Sequence, residues 1–317
     1  MSRFLLFFCV YFAVPVTYAG EGYLKTYGNP TDQAVIFLHG GPGGSSLDFE
    51  LTTALPLAEK GLFVIVYDRR GEGRSYEDSA DYSYQHSNHQ LAAIYQQFGL
   101  RKAVLIGHSF GGIIAVRFAE KFPEKVSHLV LSATPFSLQR SFSTILMNAG
   151  KAAETSKDSI LLKQIESAKA ADQQSLQYSA ACFALAMQTG AYTVKQPSPE
   201  AMNRYAALMH HEDLKTYTES LKALNYAPMV QPVTGFWKKE HYTTSEIADA
   251  VQNIRKKAIP VFGLYGQEDG LFDAVHYSQI MELLGKDRFK LISNASHTVY
   301  IDQQEIFIQA LMEWIKA

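Results

Sequence analysis

The stretch that most restricts what this chain can fold into is Ile106-Gly107-His108-Ser109-Phe110-Gly111-Gly112. An apolar run from Ala103 to Ile106 enters a Gly-x-Ser-x-Gly turn there and leaves it through Ile113-Ile114-Ala115-Val116. A strand that reverses into a helix at a serine strains the backbone at that serine. It also packs strand so closely on helix that the flanking positions have no room for a Cβ. Ser109 is therefore expected at a sheet edge, exposed, with the following N–H groups facing the same space. The five-residue pattern alone also describes an ordinary glycine-rich turn, so the rest of the chain must decide.

A serine hydroxyl is unreactive at its own pKa. It needs a base, a carboxylate that orients the base, and donors for an oxyanion. On a sheet with a serine elbow these partners follow in the order acid, then histidine, each past a strand end. Ile259 to Tyr265 reads as a buried strand, and Gly266-Gln267-Glu268-Asp269 follows it, which makes Asp269 the expected acid. Phe289 to Ile292 reads as a short last strand, and Ser293-Asn294-Ala295-Ser296-His297 makes His297 the expected base. Glu268 would point the other way, and Asp273 falls inside the helix expected from Phe272 to Leu284. The other histidines among the ten belong to other motifs or lack a preceding strand end.

The donors have their own mark. Ala34 to Leu38 reads as a short buried strand, followed at once by His39-Gly40-Gly41-Pro42-Gly43-Gly44. Residues with almost no side chain let main-chain N–H groups converge on one oxygen, so Gly41 and Phe110 are the expected donor pair. A phosphate nest is the competing reading of such a loop. Neither the Gly-x-Gly-x-x-Gly spacing nor a Lys-Ser/Thr ending is present.

Taken together, the HGGPGG loop, Asp68-Arg69-Arg70-Gly71-Glu72-Gly73-Arg74-Ser75, the Ser109 turn, the Asp269 loop and Ser296-His297 resemble the proline iminopeptidase branch of the α/β-hydrolases. The resemblance covers about residues 22–135 and 255–317 and is weak between them. It implies a serine aminopeptidase that removes an N-terminal residue, typically proline, from short peptides. Ser109, Asp269 and His297 match the triad positions, and Gly41 and Phe110 the oxyanion positions.

The departures fall where substrate choice is made. By resemblance, the substrate's free amine would be anchored by carboxylates on a cap, one of them in a Trp-rich segment. The two tryptophans here, Trp237 and Trp314, lie far apart. A second family carboxylate sits two residues before a His-Tyr pair, where this chain has Lys239, with Glu240 beside it. A lysine repels an ammonium group, so either Glu240 takes the role or the ligand carries no amine. Glu240 in a Lys-Lys-Glu run reads equally well as a solvated charge. Phe183, Tyr205, Tyr226, Phe236, Trp237 and Tyr242 could line a pocket, and Trp237, Tyr242 and Tyr205 join Glu240 as the expected substrate contacts. A carboxylesterase acting on small esters with the same triad is the alternative, and a hydrolase-fold binding protein a third reading.

Strand-like and helical segments alternate along the chain outside residues 137–253, which predicts a mostly parallel sheet with helices on both faces. The expected architecture is an α/β-hydrolase fold. Residues 20–136 and 254–317 form its core, and 137–253 form a helical cap inserted between strands 6 and 7. Helical spacing is expected over Ala149–Lys169, Gln173–Met187 and Pro199–Leu224. A chain of 317 residues with 47% hydrophobic and 19% charged residues can bury such a core.

Arg3, the apolar run Phe4–Val16 and Ala19 before Gly20 read as a signal peptide over residues 1–19, cleaved near Ala19 for a periplasmic or secreted product. The run is too short for a comfortable membrane span, although retention as an anchor is the competing reading. Cleavage would remove Cys9 and leave Cys182 alone, so no internal disulfide could form. With a net charge of −2 there is no basic stripe for nucleic acid. No His/Cys cluster has metal-ligand spacing, and no cofactor is expected. The partner is a small-molecule or short-peptide substrate.

Overall fold

The computed structural model describes residues 22–316; the expected signal segment and its cleavage point lie outside them. Among the described residues seven strands form one sheet: β1 Leu24–Tyr27, β2 Gln33–Leu38, β3 Leu62–Tyr67, β4 Ala103–His108, β5 Val126–Ser132, β6 Val261–Gly266 and β7 Phe289–Ile292. Their spatial order is β1-β3-β2-β4-β5-β6-β7, and only β1 runs antiparallel to its neighbour.

The strands read as continuous apolar runs because both faces are covered. Along β2, Ile36 and Leu38 belong to one core cluster while Val35 and Phe37 belong to the other. The first face is covered by helices α1 Tyr84–Gln97 and α2 Phe110–Lys121, and by two later helices given below. The second is covered by the segment 47–58 and by the last helix, which supplies Phe307, Leu311 and Trp314.

Between β5 and β6 run six helices of at least twelve residues: α3 Leu138–Ser156, α4 Ser159–Ala170, α5 Leu176–Gln188, α6 Pro199–His210, α7 Glu212–Ala223 and α8 Ala227–Glu240. They are followed by α9 Ala248–Lys256, α10 Ala274–Leu284 and α11 Gln304–Lys316. Counted along the described residues, the insertion lies between the fifth and sixth strands. The expected place between strands 6 and 7 presupposed an additional strand ahead of it.

Two expected helical stretches are divided. Lys157 takes a left-handed backbone (φ 55°), and Asp158 restarts the chain as α4 by accepting the Ile160 and Leu161 N–H groups at 3.0 Å. His211, in extended backbone, separates α6 from α7 and accepts the Asp213 N–H on Nδ1 at 3.1 Å. Helix α8 escaped the sequence reading because Pro232 sits inside it. No helix among the described residues is long and apolar enough to cross a membrane.

Strand order reverses between β2 and β4, and a crevice at the carboxyl ends of strands opens at such a switch point. Leu38 pairs with Gly107, so the loop after β2 and the turn after β4 leave the sheet side by side. Gly266 pairs with Ile292 in the same way, so the loops after β6 and β7 are also neighbours.

Candidate active site

Ser109 sits between β4 and α2 with φ 52° and ψ −123°, a conformation that side-chain-bearing residues rarely adopt. Its own N–H donates to Ser132 O at 2.9 Å, and its carbonyl accepts from Gly112 N–H at 2.9 Å. Glycine is required on both sides of the serine. A Cβ on Gly107 would meet the backbone of Gly111 and Gly112 at 2.7 Å, and one on Gly111 would overlap the Leu38 and His39 carbonyls. Phe110 opens α2, and first-turn N–H groups have no acceptor within their own helix.

His297 Nδ1 meets Asp269 Oδ2 at 2.8 Å, with the Asp269 side chain fully buried and that of His297 10% exposed. The other carboxylate oxygen of Asp269 accepts from Leu271 N–H at 3.1 Å. A ring that gives its Nδ1 proton to a carboxylate presents Nε2 as an acceptor. The two competing carboxylates are occupied elsewhere. Glu268 accepts from Lys195 N–H at 3.0 Å, and Asp273 caps α10 by accepting from His276 N–H at 2.7 Å.

The loop after β2 is fixed from behind. Arg69 Nη1 donates to His39 O at 2.5 Å and Nη2 to Gly40 O at 2.7 Å. Glu72 holds Arg69 through two bonds of 2.7 and 2.9 Å and accepts from Gly43 N–H at 2.6 Å. His39 Nε2 accepts from Arg69 N–H at 3.0 Å, which leaves the ring proton on Nδ1 to reach Gly40 O at 2.8 Å. Burial, reinforced by the Arg69 charge, lowers the His39 pKa to about 4 and keeps the ring neutral. Burial alone would raise the Asp68 carboxyl. The Arg74 guanidinium at 2.8 Å and the Ser46 N–H bring it down to about 2. Sequence reasoning missed Glu72, whose only signal was a charged residue enclosed by two glycines of a tight turn.

A cavity of about 380 Å³ opens over these loops. Ser109, His297, Gly41 and Phe110 line it from below, and Phe183, Met187, Met229 and Tyr242 come from the insertion. Among the described residues that line it there is no Asp, Glu, Lys or Arg. Of the expected substrate contacts only Tyr242 lies on its wall. Glu240 accepts the Tyr84 N–H at 2.7 Å and so serves the start of α1. Trp237 donates its ring N–H to Gln174 O at 3.3 Å, and Tyr205 bonds Thr298 and Asp302 at 2.7 and 2.8 Å. Lys239 pairs with Asp81 at 2.6 Å on the surface. These three expected contacts are fastened to partners distant in sequence, which the local pattern did not reveal.

The insertion also touches the loops that carry Asp269 and His297. Ala191 O accepts from Gly270 N–H at 2.8 Å, and the ring of Tyr192 stands edge-on to His297 at 5.0 Å. Among the described residues no group of three or more His, Cys, Asp or Glu could hold a metal ion.

The family model described as alpha/beta hydrolase fold matches residues 33–304. Over 136 residues the chain is 34% identical to a proline iminopeptidase of Saccharolobus solfataricus, a match that spans 38% of this chain and only 43% of that relative. A second proline iminopeptidase, from Lacticaseibacillus rhamnosus, is 26% identical over 94% of this chain and 98% of its own length. The crystal structure of a proline iminopeptidase from Mycobacterium smegmatis shares the fold, with a TM-score of 0.65 at 16% identity, covering 96% of this chain and 97% of that one.

Proposed function

Because this chain belongs to the alpha/beta hydrolase fold family, we propose that it is a serine hydrolase in which Ser109 is the nucleophile, His297 the base and Asp269 the orienting acid. The carrying observation is the 2.8 Å bond between His297 and Asp269, beside a cavity that Ser109 and His297 both line. Ser109 Oγ attacks the substrate carbonyl while its proton passes to His297 Nε2, and the Asp269 carboxylate stabilises the imidazolium. The Gly41 and Phe110 N–H groups receive the oxyanion. His297 then gives its proton to the leaving group as the acyl bond breaks. Water, deprotonated by the same ring, releases the acid and regenerates the serine.

The acyl side of the substrate is apolar and uncharged. An ammonium group placed among Phe183, Met187, Met229 and Leu271 would lose its hydration with no carboxylate to replace it. This favours an acyl hydrolase acting on small esters or on amides without a free amine at the acyl end. The second reading is release of N-terminal proline or a similar residue, supported by the 34% identity to an iminopeptidase. One panel separates them: proline- and alanine-naphthylamides against short acyl p-nitrophenyl esters, on wild type and Ser109→Ala. Ester turnover without naphthylamide turnover supports the first reading, and the reverse supports the second. Equal turnover by Ser109→Ala removes both.

Export with cleavage near Ala19 belongs to the same proposal, on the strength of Arg3 and the apolar run Phe4–Val16. The intact mass of the protein recovered from a bacterial periplasm tests it.

A further inference from the structure

Behind the loop after β2 lies a second cavity, of about 330 Å³, which shares Gly40, Gly41 and His108 with the first. The two spaces differ in chemistry. The first carries no charged side chain, whereas the second is lined by Asp48 together with Tyr217, Tyr300, Leu208 and Leu214. Asp48 is half-buried. One of its oxygens accepts from Tyr300 OH and the other from Phe49 N–H, both at 2.7 Å. Each oxygen of a carboxylate can accept more than one donor, so both keep capacity for a ligand.

A carboxylate in a cavity that two tyrosines and two leucines also line suits a cation with an apolar body. Burial raises the proton affinity of Asp48, and a cation beside it would relieve that cost. The cavities meet along Gly40 and Gly41, where an acyl group and its leaving group part company if Ser109 attacks as proposed above.

We propose that the cavity containing Asp48, Tyr217 and Tyr300 is a leaving-group subsite that takes an alcohol or amine bearing a cationic, alkylated nitrogen. This rests on Ser109 being the nucleophile. An apolar acyl group on one side of the Gly40–Gly41 loop and a cationic leaving group on the other would give the enzyme its polarity of substrate.

The test compares butyrylcholine with 3,3-dimethylbutyl butyrate, which differ in the charge of one central atom. Wild type is expected to prefer the choline ester in kcat/KM by at least about tenfold, and Asp48→Asn to bring that ratio near one. A wild-type ratio near one, or a ratio unaltered by Asp48→Asn, overturns the proposal. Should Asp48→Asn not fold, Leu214→Lys supplies a competing ammonium in the same cavity and is expected to abolish the preference. Binding of choline to Ser109→Ala, followed by titration calorimetry, tests the subsite without turnover. Saturable binding, weakened at least about tenfold by adding Asp48→Asn, supports it, and no binding overturns it. Intact binding with no turnover of either ester by wild type would retire the ester-hydrolase reading and leave the cation site standing.

Discussion

The carbonyl of Ala191, in the insertion, accepts the amide of Gly270, the residue after Asp269, at 2.8 Å. A Cβ on Gly270 would stand 2.7 Å from that of Ala191, so the contact tolerates no side chain. Gly270→Ala is therefore expected to push the Asp269 loop and the insertion apart and to lower kcat by about tenfold to a hundredfold. Single-turnover acylation alongside thermal unfolding checks this. A loss of rate at a temperature well below a modestly lowered unfolding midpoint is the expected pattern.

In the mechanism proposed above, Asp269→Asn keeps the shape of the side chain and removes the charge that would fix the His297 tautomer. The expected loss in kcat is about four orders of magnitude, since an amide partner favours the wrong ring tautomer. A fluorophosphonate probe should label Ser109 in wild type, label it far more slowly in Asp269→Asn, and leave Ser109→Ala unlabelled, as read by peptide mass.

Acid should destabilise the fold through buried neutral histidines. His39 has an ordinary value of 6.5 that folding lowers to about 4, and burial lowers His108 well below the same ordinary value. Between these values the unfolded chain binds more protons than the folded one, so stability is full above about 6.5 and drains away as pH falls toward about 4. For His39 alone the loss is on the order of 3 kcal/mol. Urea midpoints measured across that window should decline steadily, and a flat profile would contradict the neutral assignment.

Glu72 is fully buried and satisfies both Arg69 and the Gly43 N–H. Glu72→Gln removes the charge opposite a buried guanidinium and is expected to cost about 3–5 kcal/mol of folding stability. Denaturant unfolding at neutral pH measures it.

The sequence displayed whatever local pattern could encode. The β4–Ser109–α2 turn is local because its steric demand falls on neighbours in the chain, and the apolar runs ending near Asp269 and His297 carry their own boundaries. Glu240 illustrates the opposite case. Its partner, the Tyr84 N–H, lies 156 residues earlier, and no spacing around Glu240 announces that distance. Tyr205, taken up by Thr298 and Asp302, failed for the same reason. The elements β1 and α8 went unread as well, the first because it is four residues long and half-buried, the second because of Pro232.

Gly43 is gripped from two directions: Glu72 takes its amide from below, and a Cβ on it would overlap the main chain of Met229 above. Anyone grafting a different set of helices onto this scaffold inherits that constraint. A replacement that sets a side chain where the Met229 backbone passes would collide with Gly43, and the loop that Glu72 holds would have to give way.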